Sequence, residues 1–384
     1  MSCRAITLRN LKQISVIICG ICVLLLISST VQPYLKEIYN KNISNQYRLP
    51  FSLKAPLQQL DDGLSLGLNE PVAKPFCSEK VKDLVGRIVI NLEKPTWDEL
   101  IVRFAPNGTI DQMNIMTPMT DLDRRVNITN LLGGLTPIGV WSPIECMPKE
   151  RLALILPYRD RDEHLRVFLN HMHPFLRHQQ LMYTIIVVEQ LGSSRFNRAS
   201  LFNVGFRESS RIAEFDCFIF HDVDLLPEDD RLPYRCGKEP IHLSVSVDAL
   251  NYKLMYPELF GGAVALSRDH FKKIRGFSNV FFGWGGEDDD LYYRVKHHHY
   301  RIFRHPSHIA RYTMIKHKRD KSNPANPERH RLLKSSSQRF STDGYPESQY
   351  TVKFAGPKYD GLVYWISVDL DENQVLRRFN LTTR

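Results

Sequence analysis

Two acidic constellations mark where this 384-residue chain could do chemistry. Four carboxylates run consecutively at Glu287-Asp288-Asp289-Asp290, directly behind Phe282-Gly283-Trp284-Gly285-Gly286. Adjoining acids repel one another, so a fold keeps them where they are solvated, face a cation or handle hydroxyls. Glycines around one tryptophan let a bulky ring ride on a segment that can still move. The plainer alternative is a loop ending in an acidic helix N-terminus, where Asp and Glu favour the helix dipole. The second constellation is Asp222-Val223-Asp224, whose two acids project to the same side of an extended segment. Hard carboxylate oxygens there suit a divalent ion or a nucleotide site. A solvated turn is the competing reading, because Pro227, Glu228, Asp229 and Asp230 follow.

Basic groups complement these acids. Arg159 and Arg161, within Pro157-Tyr158-Arg159-Asp160-Arg161, could clamp phosphate oxygens bidentately or pair with neighbouring acids. Arg195-Phe196-Asn197-Arg198 opens a helical stretch, and a helix N-terminus is itself an anion site. Basic strand ends beside an acid pair describe a pocket for a nucleotide diphosphate and a metal. Met314-Ile315-Lys316-His317 offers a thioether and an imidazole that share a face if the segment is helical; alone, such a pair reads as a core residue beside a surface one. The net charge of +9 is uneven, with twelve Lys/Arg against two Asp/Glu between Lys296 and Arg339. A solvated basic face is one reading of that segment; a small anionic ligand such as a sugar-nucleotide diphosphate fits better than nucleic acid.

The elements that must position these groups begin at Arg151. Leu152 to Leu156 is an apolar run closed by Pro157, Arg161 to Gln180 has helical spacing, and Tyr183 to Val188 is a β-branched run. Asn197 to Ile212 reads as a second helix and Cys217 to Phe220 as a third strand. That alternation predicts an α/β layer with parallel strands, which binds ligands beyond the strands' carboxyl ends. Upstream the pattern is irregular, with one short strand expected at Arg87–Leu92.

The uncharged run from Ile14 to Val31 has the minimum length for a bilayer span, and Arg4, Arg9 and Lys12 precede it. The expected organisation is a cytoplasmic tail (1–13), a transmembrane signal-anchor (14–31), a polar stem (32–75) and a lumenal catalytic domain (76–384). A cleaved signal peptide ending near Ser28-Ser29-Thr30 is the competing reading. Glycosylation acceptors at Asn42, Asn107, Asn127 and Asn380 place the remainder in the lumen. So does the even set Cys77, Cys146, Cys217 and Cys236, which allows two disulfides in three pairings.

Phe196-Asn197-Arg198-Ala199, Phe202-Asn203-Val204-Gly205-Phe206, Asp222-Val223-Asp224, the Phe282–Asp290 stretch and Met314-Ile315-Lys316-His317-Lys318-Arg319-Asp320-Lys321 together resemble the β1,4-galactosyltransferase family, glycosyltransferase family 7. The resemblance covers roughly Cys77 to Asp369. It implies a Golgi type II enzyme of GT-A type nucleotide-sugar transferase fold, α/β with a mixed central sheet and flanking helices. It further implies Mn²⁺ held by Asp224, Met314 and His317. UDP-sugar contacts would come from Pro157, Tyr158, Arg159, Arg161, Phe196, Arg198, Asp222, Val223, Leu259 and Trp284. A terminal GlcNAc acceptor would lie against Trp284, Gly286, Glu287, Asp288, Asp289 and Arg329, with Asp288 as general base. The family's disulfides pair Cys77 with Cys146 and Cys217 with Cys236.

One departure bears on the donor. Vertebrate members resemble one another in carrying a tyrosine just before Phe260-Gly261-Gly262, where this chain has Leu259. A smaller apolar side chain leaves room for an N-acetyl group, so the chain looks closest to invertebrate β1,4-N-acetylgalactosaminyltransferases, with UDP-GalNAc as donor. His330 is a second departure, near the acceptor's acetamide. A galactosyltransferase using UDP-Gal is the nearest alternative. A lectin-like module would have lost the base or a ligand, and a glycosidase would need only paired carboxylates. The sequence leaves open whether the acceptor glycan sits on lipid or protein, and the oligomeric state.

Overall fold

In the computed structural model, the described residues are 74–78, 81, 83–105, 139–316 and 323–381, all within the compact unit Pro71–Arg384. The expected tail, anchor and nearly all of the stem lie outside them, as do Asn42, Asn107, Asn127 and His317. Among the described residues, no helix is long and apolar enough to cross a membrane.

In chain order the helices are α1 (Trp97–Phe104), α2 (Asp162–His178), α3 (Arg198–Ser209), α4 (Arg268–Lys273), α5 (Glu287–His297), α6 (Arg329–Lys334) and α7 (Glu372–Arg378). The strands are β1 (Arg151–Tyr158), β2 (Met182–Leu191), β3 (Cys217–His221), β4 (Leu225–Pro227), β5 (Ile241–His242), β6 (Ser246–Val247), β7 (Ala263–Ser267), β8 (Phe303–Arg304), β9 (Arg311–Met314), β10 (Thr351–Lys358) and β11 (Val363–Asp369). The expected strand–helix alternation from Arg151 is present: β1, β2 and β3 are parallel neighbours joined through α2 and α3.

Why these runs become buried strands is visible in their two faces. Leu154 and Leu156 pack into one core with α2, and Ala153 and Ile155 into another with α3, so both faces of β1 are covered. The strand continues past Pro157, where a stop was expected. Its pairing to β3 ends at Ile155, so the missing N–H of Pro157 costs no ladder bond on that side. The whole sheet has the order β10-β11-β2-β1-β3-β7-β5-β8. Strands β10 and β7 run against the rest, which makes it the expected mixed sheet. A small second sheet, β4-β9-β6, stands beside it.

The strand expected at Arg87–Leu92 does not form: Arg87 makes one isolated bridge to Asp229, flanked by Ile88 N donating to Glu228 O, and Val89 and Leu92 beyond it are exposed. Both disulfides form with the pairing implied by the resemblance, Cys77–Cys146 and Cys217–Cys236.

Candidate active site

A cavity of about 280 Å³ opens at the carboxyl ends of β1 and β3, where such sheets bind ligands. Its strand-end wall carries Pro157, Arg159, Arg161, Phe196, Arg198, Asp222, Val223 and Asp224; its opposite wall carries Trp284, Glu287 and Asp288.

Asn197 starts α3 by accepting a hydrogen bond from Ser200 N, which sets Arg198 at the helix's first position. From there Arg198 Nε donates to Asp222 Oδ1 at 2.5 Å, and its Nη1 lies 3.5 Å from Glu287 Oε1. Its guanidinium stacks over Phe202, 4.6 Å from the ring centroid. Arg159 donates to Ser194 O at 2.8 Å and lies over Phe196. Both arginines are therefore oriented on the side of the cavity where phosphate oxygens could lie.

The two acids of the Asp222-Val223-Asp224 segment sit on a turn after β3, and both still line the cavity. The backbone holds the turn at both ends: Asp222 N donates to Gly262 O at 3.0 Å, and Ile315 N donates to Asp224 O at 2.7 Å. Burial pushes the Asp222 carboxyl up to about 6, with Arg198 pulling it back. Met314 closes β9 directly opposite Leu225 of β4, which brings the backbones at Asp224 and Met314 close together. The helical spacing considered for Met314 and His317 is therefore not used: Met314 ends a strand and the chain leaves it irregularly at Ile315.

On the opposite wall, Gly286 has φ 96° and begins α5 as its N-cap, so the four acids do occupy a helix's first turn. Their environments differ. Glu287 faces Arg198, yet burial and then the charge of Asp288 push it up to about 7. Asp288 rests against Gly261, where an added Cβ would lie 2.8 Å from its Oδ2. Asp289 accepts from the Tyr256 hydroxyl at 2.9 Å and is pushed up by burial and by Asp288. Asp290 turns into the interior and pairs with Arg294 at 2.6 Å. Trp284 is 60% exposed, but its backbone is clamped: its N donates to Pro324 O and its O accepts from Asn326 N, both at 2.9 Å. Gly283, at φ 86°, donates to Phe196 O at 2.8 Å and ties this loop to the strand-end wall. Arg329 packs over Gly285 and Gly286 and donates to Asn326 O.

Two of the expected donor residues stand back from the cavity. Tyr158 is buried edge-on against Trp365, and that burial raises its hydroxyl to about 12. Leu259 lies outside the lining, two residues before Gly261; its carbonyl accepts from Arg304 at 3.0 Å. Conversely, His164, Gly262 and Asn323 line the cavity without having been singled out from the sequence. His164 follows Arg161 by three residues in the first turn of α2, a signal that was there to read. Tyr256, 33 residues from its partner Asp289, left none.

Sequence comparison agrees with this architecture. Residues 105–237 match the N-terminal region of glycosyl transferase group 7, and residues 241–318 match the N-terminal domain of galactosyltransferase. The catalytic domain of Drosophila β1,4-galactosyltransferase 7 in complex with xylobiose superposes with a TM-score of 0.50 at 29% identity, covering 58% of this chain and 94% of that one. A mutant of the same fly enzyme, in complex with manganese, UDP-Gal and xylobiose, gives 0.50 at 30% identity over the same shares, 58% and 94%. A mixed α/β fold of the GT-A kind is what these likenesses define.

More particularly, β1,4-galactosyltransferase 3 of Bos taurus is 38% identical over 306 residues, 79% of this chain and 70% of that protein. The chain belongs to the β1,4-galactosyltransferase family, glycosyltransferase family 7. β1,4-Galactosyltransferase 4 of Rattus norvegicus is 49% identical over 212 residues, 55% of this chain; the match spans 62% of the rat protein's length.

Proposed function

We propose that the chain is an inverting glycosyltransferase that moves N-acetylgalactosamine from UDP-GalNAc in β1,4 linkage to a terminal GlcNAc. The observation that carries this is the cavity itself: three arginines and two aspartates at strand ends face Asp288 across about 280 Å³. Arg159, Arg161 and Arg198 hold the donor's diphosphate, and Phe196 and Val223 wall the nucleotide. Trp284 is the platform for the acceptor ring, while Glu287 and Asp289 accept its hydroxyls beside Gly286 and Arg329. Asp288 takes the proton from the acceptor 4-hydroxyl as that oxygen attacks the anomeric carbon. The new C–O bond forms opposite the breaking bond to UDP, which leaves with the electron pair, so α becomes β.

Asp224, Met314 and His317 would hold Mn²⁺. The pairing of β4 with β9, which brings the chain at Asp224 close to Met314, fits that assignment, and a fly relative is described in complex with manganese and UDP-Gal. When bound, the ion neutralises charge on the diphosphate. The residue type at position 259 supports GalNAc over Gal: where vertebrate members of the family carry a tyrosine, Leu259 offers no hydroxyl and, standing back from the lining, leaves room in the cavity. Galactose transfer from UDP-Gal is the second reading, favoured by the names of the relatives.

The proposed setting is the Golgi membrane, single-pass and type II, with the catalytic domain lumenal and anchored through residues 14–31. Two disulfides suit that oxidising compartment, and Asn380 is exposed just after α7. Purified protein with Mn²⁺, a GlcNAc acceptor and each UDP-sugar tests the reading. GalNAc transfer with a β1,4 product by NMR is expected. Much faster turnover of UDP-Gal would sink the donor assignment, and no UDP release from either donor would sink the whole reading.

A further inference from the structure

Behind the Asp222–Asp224 turn lies a row of buried hydrogen bonds that the proposed reaction does not use. His221, Tyr234 and Tyr312 are fully buried, at 0% exposure each. His221 Nδ1 lies 2.7 Å from Asp222 O and its Nε2 2.9 Å from the Tyr234 hydroxyl, which lies 2.8 Å from that of Tyr312. A carbonyl oxygen can only accept, so Nδ1 carries the hydrogen. Burial keeps the ring neutral, which leaves Nε2 bare to accept from Tyr234 O–H. The Tyr234 oxygen is then the acceptor for Tyr312 O–H. One chemical requirement thus orients every proton in the row, from Tyr312 through Tyr234 and His221 to the Asp222 backbone.

The three side chains come from three parts of the fold. His221 ends β3, directly before the turn. Tyr234 lies two residues before Cys236, whose disulfide to Cys217 ties its loop to the start of β3. Tyr312 sits on β9 opposite Pro227, two residues before Met314. Phe168 packs edge-on against the imidazole, and the three side chains are shut off from bulk solvent.

We infer that His221, Tyr234 and Tyr312 are positioning residues: their relay fixes the Asp222 carbonyl and β9 together, and so holds the turn that carries Asp224 against the end of β9 at Met314, in the arrangement that takes the divalent ion. This rests on the transferase reading of the site. Partners behind a metal's own ligands are commonly worth about 10–100-fold in affinity.

The probe is Mn²⁺ alone, its uncomplexed fraction counted by electron paramagnetic resonance against the full-length chain and its variants. His221→Leu removes the N–H toward Asp222 and should weaken Mn²⁺ binding about tenfold. His221→Asn places an amide N–H near the Nδ1 position and should restore affinity to within about threefold of wild type. Equal affinities in wild type and both variants overturn the relay alone, whatever happens to thermal stability. Absence of Mn²⁺ uptake by the wild-type chain overturns both the relay and the transferase reading. Should the variants fail to fold, the ¹⁵N spectrum of the wild-type imidazole decides: a protonated Nδ1 with a bare Nε2 supports the relay, and the opposite tautomer overturns it.

Discussion

The two walls of the cavity are built on different principles. On the strand-end wall the side chains follow buried strands or open α3, and two of the cations are already partnered: Arg198 with Asp222, Arg159 with the Ser194 carbonyl. On the opposite wall a clamped loop leads into a helix whose first turn stacks like charges, and burial raises Glu287, Asp289 and Asp290 toward their neutral forms. On the proposed reading the first wall receives a doubly charged leaving group, which calls for fixed, paired cations. A wall that takes up a proton needs carboxylates whose environments set them apart from one another. On that reading, the same four-acid run contributes a base, two acceptor contacts and a structural ion pair, according to which way each residue faces.

The largest effect is expected from Asp288→Asn: transfer should fall by about a thousandfold or more while UDP binding measured by calorimetry stays unchanged. Near-normal turnover would remove the base from the acid wall. Next is Arg294→Ala, which strips from Asp290 its ion-pair partner among the described residues, and one partner from Asp343, in the interior beneath that wall. Unpairing a buried charge costs about 3–5 kcal/mol, read as a lower urea midpoint. An unchanged midpoint would mean that Asp290 is neutral in the folded chain. Leu259→Tyr should move the UDP-GalNAc to UDP-Gal preference toward galactose by about 10–100-fold in kcat/KM. No movement would show that the carbonyl pinned by Arg304, rather than the side chain, is what matters at that position.

The smallest effect concerns pH. Glu287 is raised in the folded chain, from its ordinary 4.5 to about 7. Its contribution to stability is therefore fully present below pH 4.5 and is lost as pH rises through 7. Melting temperatures at pH 5 and 8 should converge in Glu287→Gln relative to wild type. An equal fall in both proteins would place the carboxyl at its ordinary value.

Legibility followed the same division. The strand-end wall could be read from local pattern, because apolar runs followed by helical spacing leave the next polar residues at the carboxyl ends of parallel strands. Arg159, Arg161, Arg198 and Asp222 all emerged that way. Trp284, Glu287 and Asp288 were found as a motif, but nothing local told Asp288 from Asp290. The extended geometry expected for Asp222–Asp224 and the helical one considered at Met314 both gave way to pairing of β4 with β9. Two short segments almost ninety residues apart satisfied their backbone groups on each other.

Local pattern was enough to specify the layer of parallel strands, the arginines and carboxylates that gather at its strand ends, and the family. Each of these depends on local periodicity or on an ordered set of motifs. Only the tertiary structure decided that Asp290 faces inward while Asp288 faces the cavity, that Tyr158 and Leu259 stand back from it, and that Tyr256 holds Asp289. The reason is physical: a side chain's role is set by what desolvates it and what it pairs with, and those partners arrive from distant parts of the chain.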